Sequence, residues 1–196
     1  VIAACAESDD GTERAAHELA DVVLRCAERQ RARQLNEGAA RADGDLLMFL
    51  HADTILPARA GEVLSRAVGP RVAGGGFARR FDSSSGFLHL TCLLGEARCR
   101  AFGWFLGDQA MFVQAEVFRS LDGFRNMDRF EDLDFARRLR AMGRTVTLRP
   151  PVISSARRFQ REGPVWRTMR DFALTMRYLK GDPSATTREA KMNDAV

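Results

Sequence analysis

Lysine is nearly absent: of 30 basic residues only Lys180 and Lys191 are lysines, and the other 28 are arginines. So one-sided a choice points to a GC-rich coding sequence before it points to a nucleic-acid groove. The arginines are interspersed with acids, leaving a net charge of +4 over 196 residues, which reads as a solvated mixed-charge surface. A basic nucleic-acid-binding module would need an aromatic and basic face, and the aromatics here fall in apolar patterns. The four cysteines, Cys5, Cys26, Cys92 and Cys99, form no CxxC pair and have no histidine at zinc-ligand spacing. They read as small buried hydrophobes in a reducing, cytoplasmic compartment. No apolar run approaches the roughly 20 residues that span a bilayer, and no leader pattern is visible. No glycine fingerprint follows the first strand, and Gly74-Gly75-Gly76 lies late, inside a strand-like run, which argues against a SAM-dependent methyltransferase. Internal repeats and low-complexity linkers are also lacking. What is present, 45% hydrophobic residues at this length, suits one globular domain with an ordinary core.

Hydrophobic patterning predicts alternating strands and helices. Val1 to Ala4 is a strand, followed by the polar turn Glu7 to Thr12 and a helix from Glu13 to Leu19. Asp21 to Cys26 is a second strand and Arg31 to Arg41 a helix. Leu46-Leu47-Met48-Phe49-Leu50 is a run of five apolar residues, as expected of a strand covered on both faces in a parallel sheet. A helical stretch follows to about Val68, then a Gly-rich strand from Val72 to Phe81 and a helix around Ser85 to Arg100. Gly107-Asp108-Gln109 leads into a strand from Ala110 to Val113, then helices over Ala115 to Leu121 and Glu131 to Met142. Two strands, Thr145 to Leu148 and Val152 to Ser155, precede a last helix from Pro164 to Lys180. The polar tail after Asp182 is expected to fray.

Four constellations carry chemistry. Asp53 follows a buried strand, where open α/β sheets bind ligands, and suits a hard divalent cation whose remaining positions are filled by phosphates and waters. An acid there also commonly caps the next helix. Glu131, Asp132 and Asp134 open a helix, where the dipole favours acids, but three acids in four residues exceed what capping requires. Gly107-Asp108-Gln109 is a polar break before an apolar strand, or a tight turn. Arg157, Arg158 and Arg161 suit a phosphate clamp, because guanidinium matches phosphate bidentately, or form a solvated loop.

Taken in order, Ser8-x-Asp10-Gly11-Thr12, Arg31-Ala32-Arg33-Gln34-x-Asn36-x-Gly38-Ala39 and Phe49-Leu50-His51-Ala52-Asp53-Thr54 resemble the family 2 glycosyltransferases. With Gly107-Asp108-Gln109, Glu131-Asp132 and Ser155-Ala156-Arg157-Arg158-Phe159, the resemblance narrows to a small bacterial cell-wall-type or radical-SAM-associated subgroup. It implies a Rossmann-like GT-A fold, a mostly parallel sheet flanked by helices. It also implies an inverting hexosyltransferase that moves a sugar from a UDP-type donor to a hydroxyl acceptor, with Mn2+ or Mg2+ as cofactor. Carried over by position, Ser8 and Asp10 contact the nucleoside, Arg33 lies near the nucleotide and Asn36 supports it. Asp53 is the metal-side acid, with His51 in place of the first acid of the family's DxD motif. Asp132 is the general base and Glu131 its support, Gly107, Asp108 and Gln109 line the acceptor side, and Arg157 and Arg158 steady the departing diphosphate.

Two departures stand beside the resemblance. The family's first strand, with its nucleotide contacts, is not seen ahead of Val1, and Cys5 stands where the family has an acid. The expectation is either a beginning that lies upstream or a catalytically weak nucleotide-binding relative. The resemblance sets a transferase domain at 1–160, a C-terminal helix at 161–182 and a tail at 183–196. In that helix Val165, Trp166, Met169, Phe172, Ala173, Met176 and Leu179 recur at helical spacing among Arg167, Arg170, Arg177 and Lys180. Such a stripe packs on the sheet or against a second subunit as a homodimer, or lies in the inner face of a membrane to reach a lipid-linked acceptor. Packing is the expectation.

Overall fold

The computed structural model describes residues 1–7 and 11–187. Strand β1 (Ile2–Ala6) is followed by helix α1 (Thr12–Leu19), β2 (Val22–Cys26) and α2 (Arg31–Ala40). β1 and β2 pair in parallel as a sheet of their own, Ile2 opposite Val22 and Ala6 opposite Cys26. Next come β3 (Leu46–Phe49), β4 (Thr54–Ile55), α3 (Ala60–Ala67), β5 (Val72–Phe81) and α4 (Gly86–Phe102). β6 (Met111–Gln114), α5 (Ala115–Ser120), α6 (Glu131–Met142), β7 (Arg144–Ser154), α7 (Arg157–Glu162) and α8 (Pro164–Leu179) complete the series. The second sheet runs β3-β6-β5-β7-β4.

The α/β architecture stands as the sequence predicts, but the sheet is mixed rather than mostly parallel. β5 runs parallel to β7, whereas β3–β6, β5–β6 and β4–β7 are antiparallel. The apolar run of β3 therefore does not mark a strand covered on both faces. Leu47 and Phe49 are buried while Met48 between them is exposed, as expected of a strand with one solvated face. The two strands predicted over 145–155 are one, β7. Its ladder with β5 jumps from Phe77 opposite Leu148 to Arg79 opposite Val152, so Pro150 and Pro151 sit in a bulge where their missing N–H groups break no pairing.

The glycines of β5 place the backbone of the central strand against its neighbours. A Cβ at Gly74 would overlap the Phe112 carbonyl oxygen, and one at Gly75 would overlap the Val146 carbonyl oxygen. On one side of this sheet Leu47, Phe49, Phe118, Phe124 and Phe135 form an aromatic-rich core with Ala32 of α2, and Leu35 and Ala39 pack against it. A second core gathers Phe77, Phe112, Leu148 and Val152 beneath α3. All four cysteines are buried and free, as the sequence suggests.

The C-terminal stripe does not pack on the sheet. α8 has no buried residue, and Trp166 and Phe172 face solvent, so the stripe is not core. The chain then forms a short 3-10 turn, Pro183–Ala185, whose Ala185 is buried, where fraying was expected; the rest of the tail, 188–196, lies outside the described residues.

Gly75→Ala is expected to destabilise the protein by about 1–3 kcal/mol through overpacking. Gly61→Ala, in α3 with open space around it, should be neutral or stabilising by up to about 1 kcal/mol. Urea midpoints of the two variants against the parent check the contrast.

Candidate active site

The site forms where α2, α6 and the 3-10 turn Gly107–Gln109 meet the loop after β3. Helix α6 begins at Phe130, which holds a left-handed φ of 65° and has no side-chain cap. The three acids that follow each find a different partner. Glu131, at 1% exposure, accepts from Arg31 Nη1 at 2.9 Å across from α2. Burial, then the neighbouring Asp132, pushes the Glu131 carboxyl above the usual carboxylate range, and Arg31 opposes them. Asp132 accepts from the Gly107 backbone N–H at 2.7 Å through Oδ2 and from the Leu133 N–H at 2.7 Å through Oδ1. Asp134 pairs with Arg125 and Arg138, and Arg138 also donates to the carbonyls of Leu121 and Gly123. Glu131 and Asp134 are thus held in structure, and Asp132 is left to face the turn.

His51 lies over the same turn. A Cβ at Gly107 would overlap the His51 imidazole and come within 3.4 Å of Asp132 Oδ2, so only glycine admits both side chains. Burial, then the charge of Arg31, lowers the His51 pKa, while Asp108, Asp132 and Asp53 pull the other way. A lowered pKa favours the neutral imidazole, whose free nitrogen can bind a metal.

Asp53 is brought to this group by backbone pairing. β4 pairs with the end of β7, Thr54 opposite Ser154, and the Ser155 N–H donates to the Asp53 carbonyl at 3.2 Å. That contact sets the loop 51–53 beside the start of α7, whose first residue, Arg157, donates through Nε to Ser155 Oγ at 3.1 Å. Arg157 and Arg158 are both exposed there.

Asp108 pairs with Arg79 of β5 at 2.5 Å, and the buried Asp108 Oδ1 and Arg79 Nε have no hydrogen-bond partner. Gln109 corrects an expectation, because its side chain does not line the acceptor side. At 2% exposure it donates to the Phe77 carbonyl at 3.0 Å and accepts from the Leu106 N–H at 3.0 Å, latching the turn from beneath. Gly107 and Asp108 are half-buried, above Gln109.

Asn36 gives both amide atoms to one residue, donating to the Phe124 carbonyl at 2.8 Å and accepting from its N–H at 2.9 Å. Any support it lends to a nucleotide passes through that loop. Arg33 pairs with Glu28 on the surface and stands outside the His51–Asp132 group. Ser8 and Asp10 lie outside the described residues. The residues that sequence reasoning missed are Arg31 and Arg79. Arg31 and Arg33, two apart, project from different sides of α2, so spacing alone did not say which turns toward the acids. Arg79 carried a signal: with Phe77 and Phe81 it shares one face of β5, and its guanidinium lies 4.5 Å over the Phe81 ring.

Among the described residues no group of three or more His, Cys, Asp or Glu side chains could hold a metal by itself. His51 and Asp53 are two donors beside a basic helix start, which fits a cation whose other ligands come from a diphosphate and water.

The family model described as Glycosyl transferase family 2 matches residues 2–121, more than half of the chain. No curated protein matches it. Among solved structures, the mannosyltransferase PcManGT from Pyrobaculum calidifontis, in complex with GDP-Man and Mn2+, matches with a TM-score of 0.59 at 24% identity. The match covers 79% of this chain and 46% of that one, so the chain spans less than half of that structure's length. The likeness is one of fold, the GT-A architecture.

His51 should titrate below the ordinary histidine value of 6.5. Its neutral form then contributes stability present above about pH 6.5 and lost as pH falls through the lowered folded value. Arg31→Gln should raise the His51 pKa and Asp108→Asn should lower it further, and histidine ring-proton NMR across a pH series distinguishes the two.

Proposed function

The chain belongs to glycosyltransferase family 2, and from that membership we propose that it moves a hexose from a nucleoside-diphosphate sugar to an acceptor hydroxyl, inverting the anomeric carbon. What carries the reading is the convergence of His51, Gly107 and Asp132, three motifs far apart in sequence, at one glycine that leaves room for both side chains. The narrower likeness, to a small bacterial cell-wall-type enzyme acting on a lipid-linked hydroxyl, belongs to the same reading.

In the proposed mechanism the acceptor hydroxyl gives its proton to the Asp132 carboxylate as its oxygen attacks the anomeric carbon. The bond to the diphosphate oxygen breaks on the opposite face, so no covalent intermediate forms. The Gly107 N–H orients the base through its 2.7 Å hydrogen bond, and Glu131, buried against Arg31, positions it from behind. The departing diphosphate is met by Arg157 and Arg158, whose planar guanidinium groups bind phosphate bidentately. Asp53 and the neutral His51 would hold a divalent cation, Mn2+ or Mg2+, which when bound neutralises the negative charge of the leaving diphosphate. Asp108 and Gly107 border the acceptor. The nucleoside falls to the segment around Ser8, Asp10 and Arg33, with Asn36 supporting its loop.

UDP is the nucleotide that the sequence resemblance favours; the solved relative binds GDP-Man. Thermal-shift titration with UDP and GDP, each with and without Mn2+, is expected to stabilise the fold most with UDP and the metal together. A larger shift with GDP would reassign the base.

Asp53→Ala should weaken metal-dependent nucleotide binding. Asp132→Asn should leave that binding near the parent's and lower UDP release from UDP-hexoses by about 10²–10⁴. Equal loss of nucleotide binding in both variants would overturn the division of roles, and nucleotide binding without turnover in the parent would mark a catalytically weak relative. The anomeric configuration of the product, read by proton NMR, checks inversion.

A further inference from the structure

Two helices that touch each other, α4 and α8, turn large apolar side chains to solvent. Leu90 and Leu94 of α4 and Val165, Trp166, Met169 and Phe172 of α8 are each more than half exposed. In α4 the inward positions Leu88, Cys92 and Cys99 are buried, so Leu90 and Leu94 lie on a second, outward apolar face that the core does not use. In α8 no position is buried at all. A globular domain spares a few exposed apolar residues, but six large ones on two neighbouring helices mark a surface that meets something.

The charge around this surface decides what it meets. Leaving aside Arg157 and Arg158, which are proposed to meet the diphosphate, residues 159–182 hold five arginines and lysines against three acids, an excess of two. Arg161, Arg167 and Arg170 share Glu162, Arg167 also meets Asp171, and Arg177 meets Asp182, so three acids answer five bases and the positive excess remains. Two copies meeting through this face would set one positive excess against another, which disfavours self-association. An anionic surface meets both properties, since apolar side chains enter the headgroup boundary while arginine and lysine heads stay at the level of the phosphates.

α8 is also tied to the active site. Its Tyr178 ring stacks on Phe130, centroids 4.8 Å apart at 19°, and Phe130 is the left-handed residue immediately before Glu131 and Asp132. At the other end Arg167 pairs with Glu162 of α7. The helix is therefore held to the body at both ends while its apolar face stays free. Among the described residues no helix is long and apolar enough to cross a membrane.

We propose that α8 and the outward face of α4 form a docking surface for an anionic lipid bilayer, lying in its interface without crossing it. The Phe130–Tyr178 stack then gives the catalytic helix a set orientation relative to that bilayer. This inference goes beyond the transferase reading and does not depend on it.

The test uses the full chain and needs no substrate. In vesicle flotation at low salt, the protein should float with phosphatidylglycerol–phosphatidylcholine vesicles, stay behind with phosphatidylcholine alone, and be released by high salt. The triple variant Leu94→Gln, Trp166→Gln, Phe172→Gln should lower partitioning by about tenfold or more. Lys180→Gln should lower it by up to about fivefold. Because the substituted side chains are exposed, circular dichroism should be unchanged. If the triple variant fails to fold, Trp104→Phe, which leaves Trp166 as the sole tryptophan, supplies a second measurement: its emission should shift to the blue on adding the anionic vesicles. Failure of the parent to float with anionic vesicles at low salt would overturn the proposal. So would partitioning that the triple variant leaves intact, or a concentration-dependent dimer that the triple variant abolishes in a protein that does not bind vesicles.

Discussion

The two sheets share no strand pairing, so the position of one against the other rests on helix α2. One side of α2 lies over β1, where Gln34 donates to the Ala4 carbonyl and Gly38 stands beside Ala4. The other side enters the main core through Ala32, with Leu35 and Ala39 packed against it. Three polar ties then run from α2 and its N-cap toward the catalytic segment: Gln30 to the Met127 carbonyl, Arg31 to Glu131, and Asn36 to Phe124. The segment proposed to hold the nucleoside, near α1 and α2, and the acid at the start of α6 are set apart by one helix.

Burial of Glu131 explains much of the local arrangement. A carboxylate at 1% exposure is costly unless paired, and among the described residues its salt-bridge partner is Arg31. With Glu131 pointing inward, the next residue along the helix, Asp132, must point elsewhere, toward the Gly107 amide. Gln109, fully hydrogen-bonded below the turn, keeps that amide in place. The carboxylate proposed as the base is thereby held by backbone contacts, which do not depend on flexible side chains.

Sequence reasoning read the elements well where patterning is local. The strand at Val72–Phe81 and the helix at Glu131–Met142 stand where periodicity puts them. It erred where strand direction mattered, because an apolar run such as Leu46–Phe49 looks alike in parallel and antiparallel sheets. It left open whether the α8 stripe packs on the sheet or meets a second subunit, because spacing marks an apolar face but does not say what covers it.

The candidate site shows the same boundary. His51, Asp53, Asp132 and Arg157 were identifiable from residue type, order and position at the ends of strands and helices, all of which are written along the chain. That His51 and Asp132 share one glycine, that Arg31 and not Arg33 meets Glu131, and that Gln109 turns inward while Asp108 pairs with Arg79 were decided only by the tertiary structure. These are contacts between residues 25 to 100 positions apart, set by how helices cross and strands pair, and no local propensity encodes them.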